Sequence, residues 1–365
     1  MSIIIFIIIL AVLILVHELG HFIVAVKSGI KVSEFGIGFP PRLKKLFRWR
    51  ETDFTLNAIP FGGFVKIFGE NPDEESISGP DSARSFVNKS KWIQSLVLVA
   101  GVSFNIIFAW LLISAGFMSG LPTPVDYGGP GKIENARVII TSVTKDSPAE
   151  KANLKTGDAI VSITAGKNIL SAPLSPENVS EFIKNSGDEK IDIVYTRGET
   201  ELRSSVQPIG GIVENKKAIG ISMDLIGILH LPFYQAFWEG AKTTVSLLQA
   251  IVVGLYGFLR DIVLGRGGFS QVAGPVGIVG MVGDVSHLGF IYLLSFTAFI
   301  SLNLAVINLL PFPALDGGRL LFVFIEAIRR KPISVRVANT CNGIGFSLLI
   351  LLMIAVTVHD VIKLF

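Results

Sequence analysis

The chain has 365 residues, of which 50% are hydrophobic and only 17% charged, with a mean hydropathy of +0.60. That balance excludes an ordinary soluble enzyme and indicates a polytopic membrane protein with room for one soluble domain. The net charge of +3 is too small to imply nucleic acid, and the single cysteine, Cys341, excludes an intramolecular disulfide framework and any Cys-rich metal site.

The first predicted element is an apolar helix from about Ile3 to Val26. It lacks a basic leader and is longer than a signal peptide, so it is expected to remain as a permanent span. Inside it stands His17-Glu18-Leu19-Gly20-His21, an H-E-x-x-H pattern. Residues four apart share a helix face, so His17 and His21 are candidate ligands of one zinc ion. Glu18, beside them, is placed to take a proton from an attacking water. Three ionisable residues inside a membrane helix are costly and functional by default.

The stretch from Lys27 to Lys91 is rich in Lys and Arg, which assigns it to the cytoplasmic side and the N-terminus to the outside. Within it, Phe35–Pro41, the alternating Thr52–Leu56 and Ile59–Ile67 predict β-segments folded against the membrane face. The acidic, polar Asn71–Ser85 is expected to be a mobile loop. A second span runs from about Trp92 to Leu121 and contains Gly101-Val102-Ser103-Phe104-Asn105. Gly101 reads as a close-packing position. Asn105 reads equally as interhelical glue or as an active-site group.

From Pro122 to about Leu229 the composition turns polar, with alternating runs that predict one compact β-rich domain outside the membrane. Its segment Ser147 to Ile163 resembles the PDZ stretch S-P-A-x-x-A-G-L-x-x-G-D-x-I-x-x-I, with Asn153 in the glycine position, where left-handed backbone is also tolerated. Ser175–Lys184 fits the helix that borders a PDZ groove, where extended peptide adds to a sheet edge. Peptide binding and a size-excluding plug are both open readings of this domain.

Phe233–Leu264 is expected to be an amphipathic helix on the outer surface, because a crossing here would reverse the next span and carry its polar end away from His17. Gly265–Gly289 reads as a glycine-rich lead-in. The third span, about Phe290 to Leu310, ends in Asn308-Leu309-Leu310-Pro311-Phe312-Pro313-Ala314-Leu315-Asp316-Gly317-Gly318-Arg319. Its prolines break the helix, and Asp316 supplies the third candidate zinc ligand that a catalytic site needs. Arg319, Arg329, Arg330, Lys331 and Arg336 mark the cytoplasmic side again. A last span, about Val337 to Leu364, returns the C-terminus outside. His359 and Asp360 are read as interfacial near its outer end, like His230 and His287.

The expected fold is therefore a polytopic α-helical membrane protein with four transmembrane helices, a membrane-associated β-region and one inserted extracytoplasmic PDZ-like domain. The expected boundaries are 1–121, 122–229, 230–289 and 290–365.

Taken together, H-E-x-x-H in the first span, G-x-x-x-N in the second and N-x-x-P-x-P-x-L-D-G-G in the third resemble the site-2 protease family, over nearly the whole chain. The likeness is nearest to its bacterial branch, the regulator of sigma-E protease type. This resemblance implies an intramembrane zinc metalloendopeptidase with Zn2+ held by His17, His21 and Asp316, and Glu18 as general base. It also implies substrate-binding roles for Asn308 and Asn105, and for Gly62, Gly63 and Phe64 of the β-region. The implied partners are transmembrane substrates already trimmed by another protease, such as anti-sigma factors or remnant signal peptides. The implied location is a bacterial-type inner membrane, in contact with lipid, with the active site towards the cytoplasm. One PDZ-like unit is evident, where that branch carries two in tandem. Two other readings compete: a membrane-anchored PDZ peptide-binding protein with an inactive metal site, and a transporter, against which no inverted repeat is seen.

Overall fold

The computed structural model describes residues 1–71, 73–213, 216–265 and 273–362. It divides into two compact units, residues 1–113, 240–283 and 295–365 in the first and 114–239 and 284–294 in the second.

The first unit begins with an uninterrupted helix, α1 (Ser2–Lys27), which carries no proline. Its buried positions Ile9, Leu13, His17, Gly20 and His21 recur at helical spacing, so they form one inward stripe, while Ile3, Ile4, Ile8 and Val12 are exposed. The chain then enters two long strands, β1 (Val32–Trp49) and β2 (Thr52–Ile67). Their outer halves form a hairpin, from Trp49↔Thr52 back to Arg42↔Asn57. The first half of β1 lies between the two halves of β2: Glu34–Ile37 pairs in the same direction with Asp53–Leu56 and antiparallel with Gly63–Lys66. Two strands thus make four rungs, with the Gly62–Ile67 half of β2 on one flank. Phe22 of α1 packs edge-on against Phe35 and Phe54, with ring centroids 5.5 and 5.6 Å away, and these rings seat the β-region on the helix.

The stretch expected to be a mobile loop is instead folded. α2 (Glu74–Ser78) starts in a capping box in which Asp73 and Ser76 bond each other's backbone N–H, and Ser76 and Ser85 are buried. Short polar side chains satisfied the backbone locally there, which composition alone does not reveal. α3 (Lys91–Ser119) follows and runs out of the first unit into the second.

The second unit is a seven-stranded sheet with two helices. Its elements are β3 (Leu121–Pro124), β4 (Ile133–Val143), α4 (Pro148–Lys151), β5 (Ala159–Ala165), β6 (Asn168–Ser171), α5 (Pro176–Asn185), β7 (Ile191–Arg197), β8 (Thr200–Val206), β9 (Ile209–Val213), β10 (Lys216–Ala218) and β11 (Ile221–Leu229). The strand order is β3-β11-β4-β5-β7-β8, with β6 on β5 and a separate β9–β10 pair. Val138, Ile140, Ile163, Val179, Ile191 and Ile193 fill the core. Asp158 is wholly buried and accepts hydrogen bonds from Arg197 Nε and Nη2 at 2.7 and 2.8 Å and from the Lys155 N–H at 2.8 Å. Asn153 has a positive φ of 60°, the left-handed backbone that glycine would otherwise supply.

Among the described residues, five further helices follow: α6 (Phe233–Val263), α7 (Pro275–Leu288), α8 (Phe290–Asn308), α9 (Asp316–Arg329) and α10 (Val335–Ile362). Among the described residues, five helices are long and apolar enough to cross a membrane: α1, α3, α6, α8 and α10. That is one more than the four expected; the extra one is α6, whose apolar second half outweighs Glu239, Lys242 and Gln249. The expected lead-in is partly helical as α7, and its residues 266–272 lie outside the described residues. Asp360 is buried, and its Oδ2 accepts the Gly277 N–H at 2.8 Å, capping the first turn of α7. The amphipathic α9 escaped the sequence reading because it follows two prolines.

Candidate metal centre

Three donor atoms converge inside the first unit. His17 Nε2 lies 2.9 Å and His21 Nε2 3.3 Å from the same carboxylate oxygen, Asp316 Oδ2, and the two imidazole nitrogens are 3.2 Å apart. Ligands held about 2.05 Å from a tetrahedral metal stand about 3.3 Å from one another. The triangle therefore has the size of one face of a tetrahedral zinc site, with a fourth position left for water or substrate. Both histidines are buried and Asp316 is partly accessible, its side chain 21% exposed. Two imidazoles and one carboxylate are a donor set suited to zinc.

Each donor is delivered by a local feature of the sequence. His17 and His21 stack one above the other on α1 because four residues make about one helical turn. Asp316 arrives through Pro311 and Pro313, which stop α8 and let the chain fold back into α9. Gly317 and Gly318 permit that fold-back: a Cβ on Gly317 would strike the carbonyls of Leu309 and Leu310, and one on Gly318 would lie 2.6 Å from the Phe312 carbonyl carbon. α10 then packs over the same turn, since a Cβ at Gly345 would lie 2.5 Å from the Pro313 carbonyl oxygen.

α3 forms the floor of the site. Gly20 of α1 meets the Ala100 backbone so closely that a Cβ would lie 2.8 Å from its carbonyl carbon. A Cβ on Gly101 would lie 2.7 Å from His17 Cε1 and 2.8 Å from His21 Cε1, so the two rings rest directly on the helix backbone. His21 Nδ1 donates to the Val97 carbonyl at 2.8 Å. Asn105, fully buried, sets its side-chain amide 3.4 Å from His17 Nδ1, while its backbone carbonyl accepts the Ser301 hydroxyl of α8 at 2.8 Å.

The other singled-out residues are spread around this centre. Glu18 is half-buried on the turn that carries His17. Asn308 is the last residue of α8, half-buried. Gly62 and Gly63 are buried against α1 one turn before Glu18: added Cβ atoms would lie 2.8 Å from Ile14 Cδ1 and 2.9 Å from Leu15 Cδ2. The Phe64 ring covers Gly36 and stacks on Phe39 with centroids 6.5 Å apart. Three features escaped the sequence reading. The Val97 carbonyl is backbone and leaves no residue-type signal. A glycine such as Gly101 signals helix packing and does not by itself signal a seat for rings. Arg319 of α9 pairs with Glu70 beyond β2, which only proximity reveals.

The sequence of peptidase family M50 matches residues 5–352. The regulator of sigma-W protease RasP from Bacillus subtilis is 30% identical over 444 aligned residues, covering 100% of this chain and 99% of that one. The zinc metalloprotease RasP of Bacillus licheniformis is 30% identical with the same coverage of both. A Clostridium perfringens chain described as a candidate zinc metalloprotease is 36% identical over 354 residues, 96% of this chain and 95% of its own. A match of that extent, reaching from the H-E-x-x-H helix to the last helix, establishes that the chain belongs to peptidase family M50.

Proposed function

We propose that this zinc metalloprotease hydrolyses a peptide bond within a membrane-spanning segment of its substrate, with His17, His21 and Asp316 as the metal ligands and Glu18 as general base. The observation that carries the reading is the meeting of two imidazole nitrogens from the apolar α1 and one carboxylate oxygen from the first residue of α9, all within 4.8 Å of one another. Zinc, when bound, polarises a carbonyl and makes water acidic enough to attack at neutral pH. Glu18 then takes the water's proton and returns it to the leaving amine. Asn308, at the broken end of α8, holds the substrate backbone.

A helical substrate hides its carbonyls in i to i−4 hydrogen bonds and must unwind before it can be cut. The Gly62–Phe64 half of β2 is suited to receive the unwound strand, because it lies on a flank of the β-region and one turn of α1 from Glu18. The substrates are membrane proteins of the anti-sigma-factor or remnant-signal-peptide kind, trimmed beforehand by another protease. The sheet of the second unit acts as a PDZ-like extracytoplasmic domain between α3 and α6, with limits near 122 and 229.

Four helices cross the membrane in this reading: α1, α3, α8 and α10. His17 and His21 lie in the second half of α1 and Asp316 beyond the C-terminal end of α8, so α1 and α8 run in the same sense. A crossing by α6 would need a return through α7, whose 14 residues span about 21 Å, less than the hydrocarbon core of about 30 Å. α6 therefore lies on the outer surface, and both termini are outside.

The test is Glu18→Gln. It is expected to hold one zinc per chain and to lose cleavage of a model transmembrane substrate by at least about a hundredfold. Unchanged cleavage would remove Glu18 from the chemistry. An Asp316→Ala variant that still holds zinc would remove the proposed ligand set.

A further inference from the structure

Both histidines offer Nε2 to the candidate metal position, so both must carry their ring proton on Nδ1. For His21 the acceptor of that proton is the Val97 carbonyl, 2.8 Å away. For His17 the only group at hydrogen-bonding reach of Nδ1 among the described residues is the side-chain amide of Asn105, at 3.4 Å. Asn105 is wholly buried, and its Oδ1 has no hydrogen-bond partner. A proton-bearing Nδ1 pairs with an amide oxygen, not with an amide NH2, and half a turn about χ2 exchanges the two ends of an asparagine amide.

We infer that Asn105 is a positioning residue: its Oδ1 accepts the His17 Nδ1–H and thereby fixes the tautomer and ring plane that present His17 Nε2 to the metal. This rests on the ligand set proposed above. It replaces the reading of Asn105 as a substrate or oxyanion contact, because a fully buried side chain on the far side of the His17 ring does not reach the open fourth position. The arrangement is systematic. Val97, Gly101 and Asn105 follow one another at four-residue spacing, so they share a face of α3. That face meets the two rings with an acceptor for His21, a bare backbone, and an acceptor for His17. Ser301 fixes the register by donating to the Asn105 carbonyl at 2.8 Å. Partners of ligating histidines usually set metal affinity within about 10–100-fold.

The experiment compares zinc dissociation constants of the full-length protein in detergent, by competition with a chromogenic chelator, for the wild type, Asn105→Leu, Asn105→Asp and His17→Ala. The visible spectrum of the cobalt-substituted forms is the second readout. Asn105→Leu keeps the volume but removes the acceptor, and is expected to weaken zinc binding by about 10–100-fold and to alter the cobalt bands. Asn105→Asp restores an acceptor and is expected to recover most of the affinity and the wild-type bands. Helix content and a single gel-filtration peak establish that each variant is folded. Should Asn105→Leu fail to fold, Asn105→Asp decides alone: zinc binding as weak as that of His17→Ala overturns the inference. Wild-type affinity in a folded Asn105→Leu also overturns it. Full zinc binding by His17→Ala would instead overturn the ligand set beneath it, so the two failures are distinguishable.

Discussion

At the scale of single residues, the site depends as much on missing side chains as on present ones. Gly20 and Gly101 remove the Cβ atoms that would hold α1 and α3 apart; the Ala100 backbone fills the space at Gly20 and the imidazoles that at Gly101. Gly101→Ala places a methyl group 2.7 Å from His17 Cε1, so the ring must tilt or the helices must part. A displacement near 1 Å at a reacting centre costs about a hundredfold in rate. Gly101→Ala is accordingly expected to lose zinc on gel filtration and to cut a model substrate about a hundredfold more slowly. Gly343→Ala, where an added Cβ meets no atom within 4 Å, is the control and is expected to behave as wild type. The histidines, Glu18 and Asp316 were legible in the sequence because ligand chemistry uses few residue types at regular spacing. The role of Gly101 was not, since a glycine in a membrane helix reads the same whether it admits a neighbouring helix or a neighbouring ring.

At the scale of elements, the β-region and the sheet domain answer to different forces. β2 touches α1 through glycines, so its distance from Glu18 is set by backbone contact. Gly63→Val inserts a branched side chain where a single Cβ already comes within 2.8 Å of the Gly36 carbonyl and 2.9 Å of Leu15. It is expected to lower cleavage by about tenfold or more while zinc remains bound, as a misplaced substrate strand requires. Loss of zinc together with activity would show instead that the whole site had moved. In the sheet, Arg197 holds Asp158 in the core, and the carboxylate raises the guanidinium pKa above its ordinary value. Arg197→Met leaves that buried carboxylate with the Lys155 N–H alone, which costs about 3–5 kcal/mol. Thermal unfolding followed by β-sheet circular dichroism is expected to show the loss, and adding Asp158→Asn to recover part of it. The strand alternation that predicted this domain was visible because its two faces see different solvents. The capping box at Asp73 was hidden in a polar stretch whose composition reads as loop, and the α7 cap at Asp360 joins a side chain to a backbone group 83 residues away, whose position only folding defines.

At the scale of the whole molecule, the fate of α6 decides the number of crossings. In a Cys341→Ser background, Gln235→Cys and Leu264→Cys are both expected to react with a membrane-impermeant maleimide added outside intact cells. Reaction of Gln235→Cys alone would make α6 a fifth crossing and break the parity that joins α1 to α8. Lys331→Cys is expected to react only once the membrane is opened. What the amino-acid order determined by itself is chemistry and periodicity: the apolar lengths, the basic segments, a candidate donor set of two histidines and one aspartate, and a glutamate beside them. Each of those signals is local, or repeats with the period of one element. What only the tertiary structure decided is which side of each ring is held, by the Val97 carbonyl for His21 and by Asn105 for His17, and that one helix does both. Those contacts arise where α1 and α3 cross, and the crossing point is fixed by two glycines far apart in the chain, whose meeting no local pattern encodes.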